Sequence, residues 1–123
     1  MLDHVTIPVT DLAKSQAFYD AALEPLGIAR AYAVGDAYAG YAVAGKAAFW
    51  IALRDAVHTG VHIAFTAPDR VTVDHFYNAA LTAGGRDHGA PGLRPEYHPN
   101  YYGAFILDPD GHNIEAVCHE PIA

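Results

Sequence analysis

The sequence predicts an α+β fold built from one module written twice. Three observations predict it. Displacing the chain by 58 positions against itself gives eight identities over residues 4–27: His4/His62, Asp11/Asp69, Phe18/Phe76, Tyr19/Tyr77, Ala21/Ala79, Ala22/Ala80, Leu23/Leu81 and Gly27/Gly85. Unrelated segments of that length would share about one or two. Each copy opens on a strand pattern that gives way to a helical one, and each then continues as short alternating runs broken by turn residues. A copy fills about half the chain, too long for a solenoid unit, so the repeat is a duplicated supersecondary module.

The elements follow in order. "HVTIPV" and "VHIAFT" alternate and contain β-branched residues, so both are strands. Asp11 and Asp69 come next, where a carboxylate accepts from the free amides of a helix start. In the first helix Phe18, Ala21, Ala22 and Leu26 fall at helical spacing, and Pro25 with Gly27 ends it. In the second, Val73, Phe76, Tyr77, Ala80 and Leu81 form the stripe, closed by Gly84 and Gly85. "VGDAYAG" and "VAGKA" punctuate the strands of the first half. "DPDG", residues 108–111, is a tight turn between "YYGAFIL" and "NIEAVC" in the second. Residues 88–101, "HGAPGLRPEYHPNY", read as the longest irregular stretch. Each half is therefore one strand, one helix and about three strands.

At 123 residues the chain suits a single domain spanning 1–123, with module 1 at about 1–58 and module 2 at about 59–123. A hydrophobic share of 52% with 17% charged residues fits a folded globular protein. No apolar run nears the roughly 20 residues that span a bilayer, and the start lacks a signal-peptide pattern. The net charge of −7, with seven scattered Lys and Arg, argues against nucleic acid and membrane surfaces as partners. One cysteine, Cys118, excludes an intrachain disulfide and suits a reducing, cytoplasmic setting.

Strand alternation places His4 with Thr6 and Pro8, His62 with Ala64 and Thr66, and Glu115 with Asn113 and Val117. The opposite rows are more apolar and are expected to meet the helices. Both histidines and the glutamate then share the other, concave side. A carboxylate in such a strand needs a surface position, a salt bridge or a bound cation. Symmetry-related histidines would converge if the two first strands are neighbours, and Glu115 would complete a facial triad for iron, manganese, zinc or a similar divalent ion. The alternative is a hydrogen-bonded structural set.

The stretches "DHVTIPVTDLAKSQAFYDAAL" and "YYGAFILDPDGHNIEAV" resemble the vicinal oxygen chelate superfamily: glyoxalase I, bleomycin-resistance proteins, fosfomycin-resistance thiol transferases and extradiol dioxygenases. The resemblance covers the whole chain. It implies paired βαβββ modules forming an incompletely closed eight-stranded barrel with the helices outside. It also implies one divalent metal ion on His4, His62 and Glu115, and a homodimer that can place partner strands in different chains. Glyoxalase I has a fourth ligand, a glutamate, on the last strand of the first module; here that stretch holds Phe49, Trp50 and Ile51. Three ligands are closer to the thiol transferases and dioxygenases.

Trp50 is read as either barrel core or an apolar substrate wall. Arg94, Tyr97 and His98 are candidate substrate-binding residues of a rim, the guanidinium suiting an anion. Tyr101 or Tyr102 is the candidate for proton transfer, because one of two consecutive residues entering a strand faces the cavity. Arg54 reads as a surface charge, and His58, His75, His88 and His112 as structural or solvent-facing. His119 shares the face of Glu115 and is a candidate supporting residue, while Cys118 reads as core. The expected function is a metal-dependent dioxygenase, thiol transferase or lyase/isomerase acting on a small oxygenated molecule. The alternative is a metal-free protein that binds and sequesters a small molecule, as bleomycin-resistance proteins do.

Overall fold

The computed structural model describes residues 2–55 and 60–122; His58 lies outside them. Module 1 runs β1 (Val5–Val9), α1 (Leu12–Leu23), a short 3-10 turn (Glu24–Leu26), β2 (Ala29–Val34), β3 (Tyr38–Val43) and β4 (Lys46–Leu53). Module 2 runs β5 (His62–Thr66), α2 (Arg70–Thr82), β6 (Arg86–Leu93), β7 (Tyr102–Leu107) and β8 (Asn113–Cys118). The duplicated strand, helix and three strands are as the sequence predicts. Each module makes a four-stranded sheet, ordered β1-β4-β3-β2 and β5-β8-β7-β6, in which the first strand pairs parallel with the last. The sheets do not join into a closed barrel.

The helices start where the aspartates sit. Asp11 accepts from the Lys14 amide at 3.1 Å and Asp69 from the Thr72 amide at 2.8 Å, satisfying donors that have no partner within the helix. Phe18 and Ala22 of α1 and Val73, Phe76 and Ala80 of α2 are buried in one core with Ile7, Ile51, Ile106 and Ile114. Leu81 of the expected stripe is on the surface, in the last turn of its helix.

The stretch 88–101 is less irregular than expected, because β6 takes its first half. The pairing of β6 with β7 slips at Gly89 and again before Gly92. Pro91 is tolerated because β6 is an edge strand with one side free of partners.

The "DPDG" turn fastens the modules together. Asp108 is buried and accepts from the Tyr19 hydroxyl of α1 at 2.6 Å and from the amides of Asp110 and His112. Asp110 accepts from the Thr10 hydroxyl at 2.6 Å, and the buried His112 ring donates through Nε2 to the Pro8 carbonyl at 2.9 Å. His112 is thus structural, as its pattern suggested.

Burial pushes the Tyr19 phenol well above its ordinary pKa, helped by the Asp108 carboxylate; burial and Asp20 do the same to Tyr41. A phenol held protonated in the fold contributes stability that is complete below the unfolded value of about 10 and is lost as pH rises beyond it. Unfolding free energy from urea melts is therefore expected to fall above about pH 10. Tyr19→Phe should flatten that fall.

Candidate functional site

Register fixes which side chains share the concave faces. On β8, Ile114, Ala116 and Cys118 point into the core, as expected, and Glu115 points the other way. Glu115 is nonetheless only 1% exposed. Its Oε1 meets His62 Nε2 at 2.7 Å, and its Oε2 accepts from the Tyr101 hydroxyl. The buried carboxylate is thus paired with an imidazole and a phenol of its own module.

Tyr102 lies opposite Cys118 in the β7–β8 ladder and so shares the core-facing side. Its hydroxyl donates to Asp74 of α2 at 2.7 Å, with the Arg70 guanidinium 5.2 Å above its ring. Of the two tyrosines, Tyr101 therefore faces Glu115, and Tyr102 is a helix-packing residue. Burial, then the bond and charge of Glu115, push the Tyr101 phenol far above its ordinary value. At neutral pH it keeps its proton and donates it to Oε2.

The rim residues support Tyr101. Tyr97 packs edge-on against it with ring centroids 4.9 Å apart, and His98 does so at 5.5 Å. His98 Nδ1 accepts from the Asn100 amide at 3.2 Å, so Nε2 carries the proton given to His119 Nδ1. His119, read as a supporting residue from its shared face, is the partner of His98. Arg94 folds onto the Ala90 carbonyl at 2.7 Å and over the Phe105 ring at 5.4 Å. It lines one cavity of about 390 Å³ with His62, His88, Phe105 and Asn113.

His4 stands apart. It precedes β1, and its Nδ1 meets Asp3 at 2.8 Å. Among the described residues no three His, Cys, Asp or Glu side chains gather around one point. The expected convergence of His4 with His62 and Glu115 does not occur within one chain. The His62–Glu115 pair itself suits a cation. Two ligand atoms about 2.1 Å from one octahedral ion lie about 3 Å apart, so the pair, hydrogen-bonded here at 2.7 Å, would open by only a few tenths of an ångström to take one.

His4 faces a second cavity, of about 470 Å³, lined by Thr6, Tyr38, Lys46, Trp50 and Arg54 among others. Arg54, read as a surface charge, is part of this wall. Trp50 pairs with Thr6 in module 1, and Glu115 with Ala64 in module 2. Thr6 and Ala64 are equivalent in the repeat, so Trp50 occupies the position of Glu115. The sequence signal for this was the fourth-ligand stretch, and only the register settles which of its three residues matches.

The Glyoxalase/Bleomycin resistance protein/Dioxygenase superfamily model matches residues 1–116. A glyoxalase/bleomycin resistance protein from Albidiferax ferrireducens T118 is 30% identical, with 98% of this chain and 99% of that one covered and a TM-score of 0.83. A glyoxalase-related enzyme from Fulvimarina pelagi is 20% identical, with 96% and 87% covered and a TM-score of 0.76. A lactoylglutathione lyase from Agrobacterium tumefaciens is 18% identical, with 96% and 92% covered and a TM-score of 0.70. These last two likenesses speak to the fold alone. No curated protein matches the chain. With its two βαβββ modules and a family match over nearly its whole length, this chain belongs to the Glyoxalase/Bleomycin resistance protein/Dioxygenase superfamily.

Proposed function

We propose that the protein is a metal-dependent enzyme of this superfamily acting on a small oxygenated molecule. The observation that carries the reading is the His62–Glu115 pair, 2.7 Å apart, with the imidazole half exposed and the carboxylate buried. A buried carboxylate beside an open imidazole is a bidentate donor set facing solvent on one side. A divalent ion bound there supplies Lewis-acid polarisation of a chelated oxygen pair. Glu115 contributes the compensating charge, and His62 the neutral nitrogen. Tyr101 holds Glu115 in place through Oε2 and keeps a proton at its own oxygen.

The third ligand is His4 of the partner subunit in a homodimer. All six residues of β2 are exposed, with Tyr32 and Val34 among them, and β2 is a sheet edge. An open edge strand carrying large apolar side chains favours a protein partner. His4→Ala and Glu115→Ala chains, co-expressed and purified as the hybrid dimer, test this directly. One site of the hybrid then keeps every ligand, so it is expected to hold half the wild-type metal per chain, and each variant homodimer almost none. A hybrid without metal would mean that any site forms within one chain.

A second reading is favoured by the Trp50 cavity: a protein that binds and sequesters a small molecule without metal chemistry. Wild-type protein that takes up no divalent ion would leave this reading standing.

A further inference from the structure

The cavity on the concave face of module 1 carries an aromatic surface and an excess of positive charge. Trp50 lies flat across Gly40, its strand neighbour on β3. A Cβ on Gly40 would come within 2.6 Å of the indole ring, so the absent side chain is what lets the ring lie there. The Tyr32 ring runs nearly parallel to the indole, 20° off, with centroids 5.7 Å apart and so only offset from it. Tyr38 meets it edge-on at 5.9 Å, and the half-buried indole keeps part of its face open to the cavity. The indole Nε1 donates to the Ala47 carbonyl at 3.1 Å, which fixes the plane of the ring. Lys46 and Arg54 stand on the same wall, and among the described residues the only carboxylate there is Asp3. Lys46 pairs with Asp3 at 2.7 Å, while among the described residues the Arg54 guanidinium bonds only its neighbouring carbonyl, that of Leu53. Arg54 is therefore the cation of this wall with no carboxylate partner among the described residues, in a chain whose net charge is −7.

We propose that this cavity binds a flat aromatic anion, its ring stacked on Trp50 and its charged group held by Arg54. An immobile indole presents a planar, apolar face that favours offset stacking over packing with a puckered ring. A guanidinium with free donors takes a carboxylate in a two-pronged fashion. The inference deepens the function proposed above and rests on it in taking this cavity, which His4 lines, as the place of the small-molecule substrate. It does not depend on the metal.

Trp50 is the only tryptophan, so the protein has a single indole N–H signal in a proton–nitrogen correlation spectrum. The probe is 2-naphthoate, titrated into the full chain in the presence of a chelator and compared with cyclohexanecarboxylate. The expected result is a saturable upfield shift of the indole signal, with Kd at or below about 1 mM. Cyclohexanecarboxylate should bind about 5-fold more weakly or less, and Arg54→Gln should weaken 2-naphthoate about 10-fold. Gly40→Ala, which displaces the ring without touching a charge, should weaken it comparably while the spectrum stays dispersed. Equal affinity for the flat and puckered anions would overturn the proposal, as would indifference to Arg54→Gln or no saturable shift. Binding without metal uptake would keep this inference and sink the enzyme reading; metal uptake without 2-naphthoate binding would do the reverse.

Discussion

Asp108→Ala is expected to lower the unfolding free energy by about 3 kcal/mol, the largest stability effect at any polar position described. The Tyr19 hydroxyl, fully buried, would lose its one acceptor among the described residues, and the Asp110 and His112 amides would lose theirs. A buried donor left without a partner costs about 1–3 kcal/mol, and each lost amide bond adds about 1 kcal/mol or less. Against a total of about 5–15 kcal/mol for a domain, that is a large fraction. The melting temperature should fall by about 10 °C. Asp108→Asn keeps an acceptor for the amides and should cost roughly a third as much. Urea unfolding of the three proteins measures both differences.

Glu115→Gln is expected to weaken divalent-metal binding by at least about 100-fold while leaving the fold intact. The amide preserves volume and an acceptor for Tyr101 but removes the only charge in the donor pair. Even residues that merely orient a ligand cost 10- to 100-fold in affinity, so a ligand's own charge should cost at least that. His62→Ala should act in the same direction. Competition with a calibrated chelator reads the affinity, and thermal unfolding in its presence reads the fold. A Glu115→Gln protein that binds metal as well as wild type would remove Glu115 from the site.

Much of this was legible before any coordinates. The repeat marks both modules, the aspartates after each first strand cap both helices, and alternation sends Glu115 away from the core. Those features are local: they depend on neighbours within a few positions. What alternation could not supply was register between strands. Tyr101 is separated from Tyr102 only by the pairing of Tyr102 with Cys118 across β7 and β8. The same holds for Trp50 as the counterpart of Glu115, and for Gly40 beneath the indole. Register slips at Gly89 and Gly92 let a proline-bearing strand occupy what composition marked as loop. The Tyr19–Asp108 bond joins residues 89 positions apart and has no sequence pattern at all. The place of His4 depends on how whole sheets meet, within a chain or between copies.

The central claim is that His62 and Glu115 bind one divalent ion together. Anomalous scattering from crystals grown with manganese tests it most directly. The account predicts one peak about 2.1 Å from both His62 Nε2 and Glu115 Oε1, with His4 of the partner subunit as a further ligand. A saturating soak that leaves the His62–Glu115 hydrogen bond intact, with no peak between them, would contradict it.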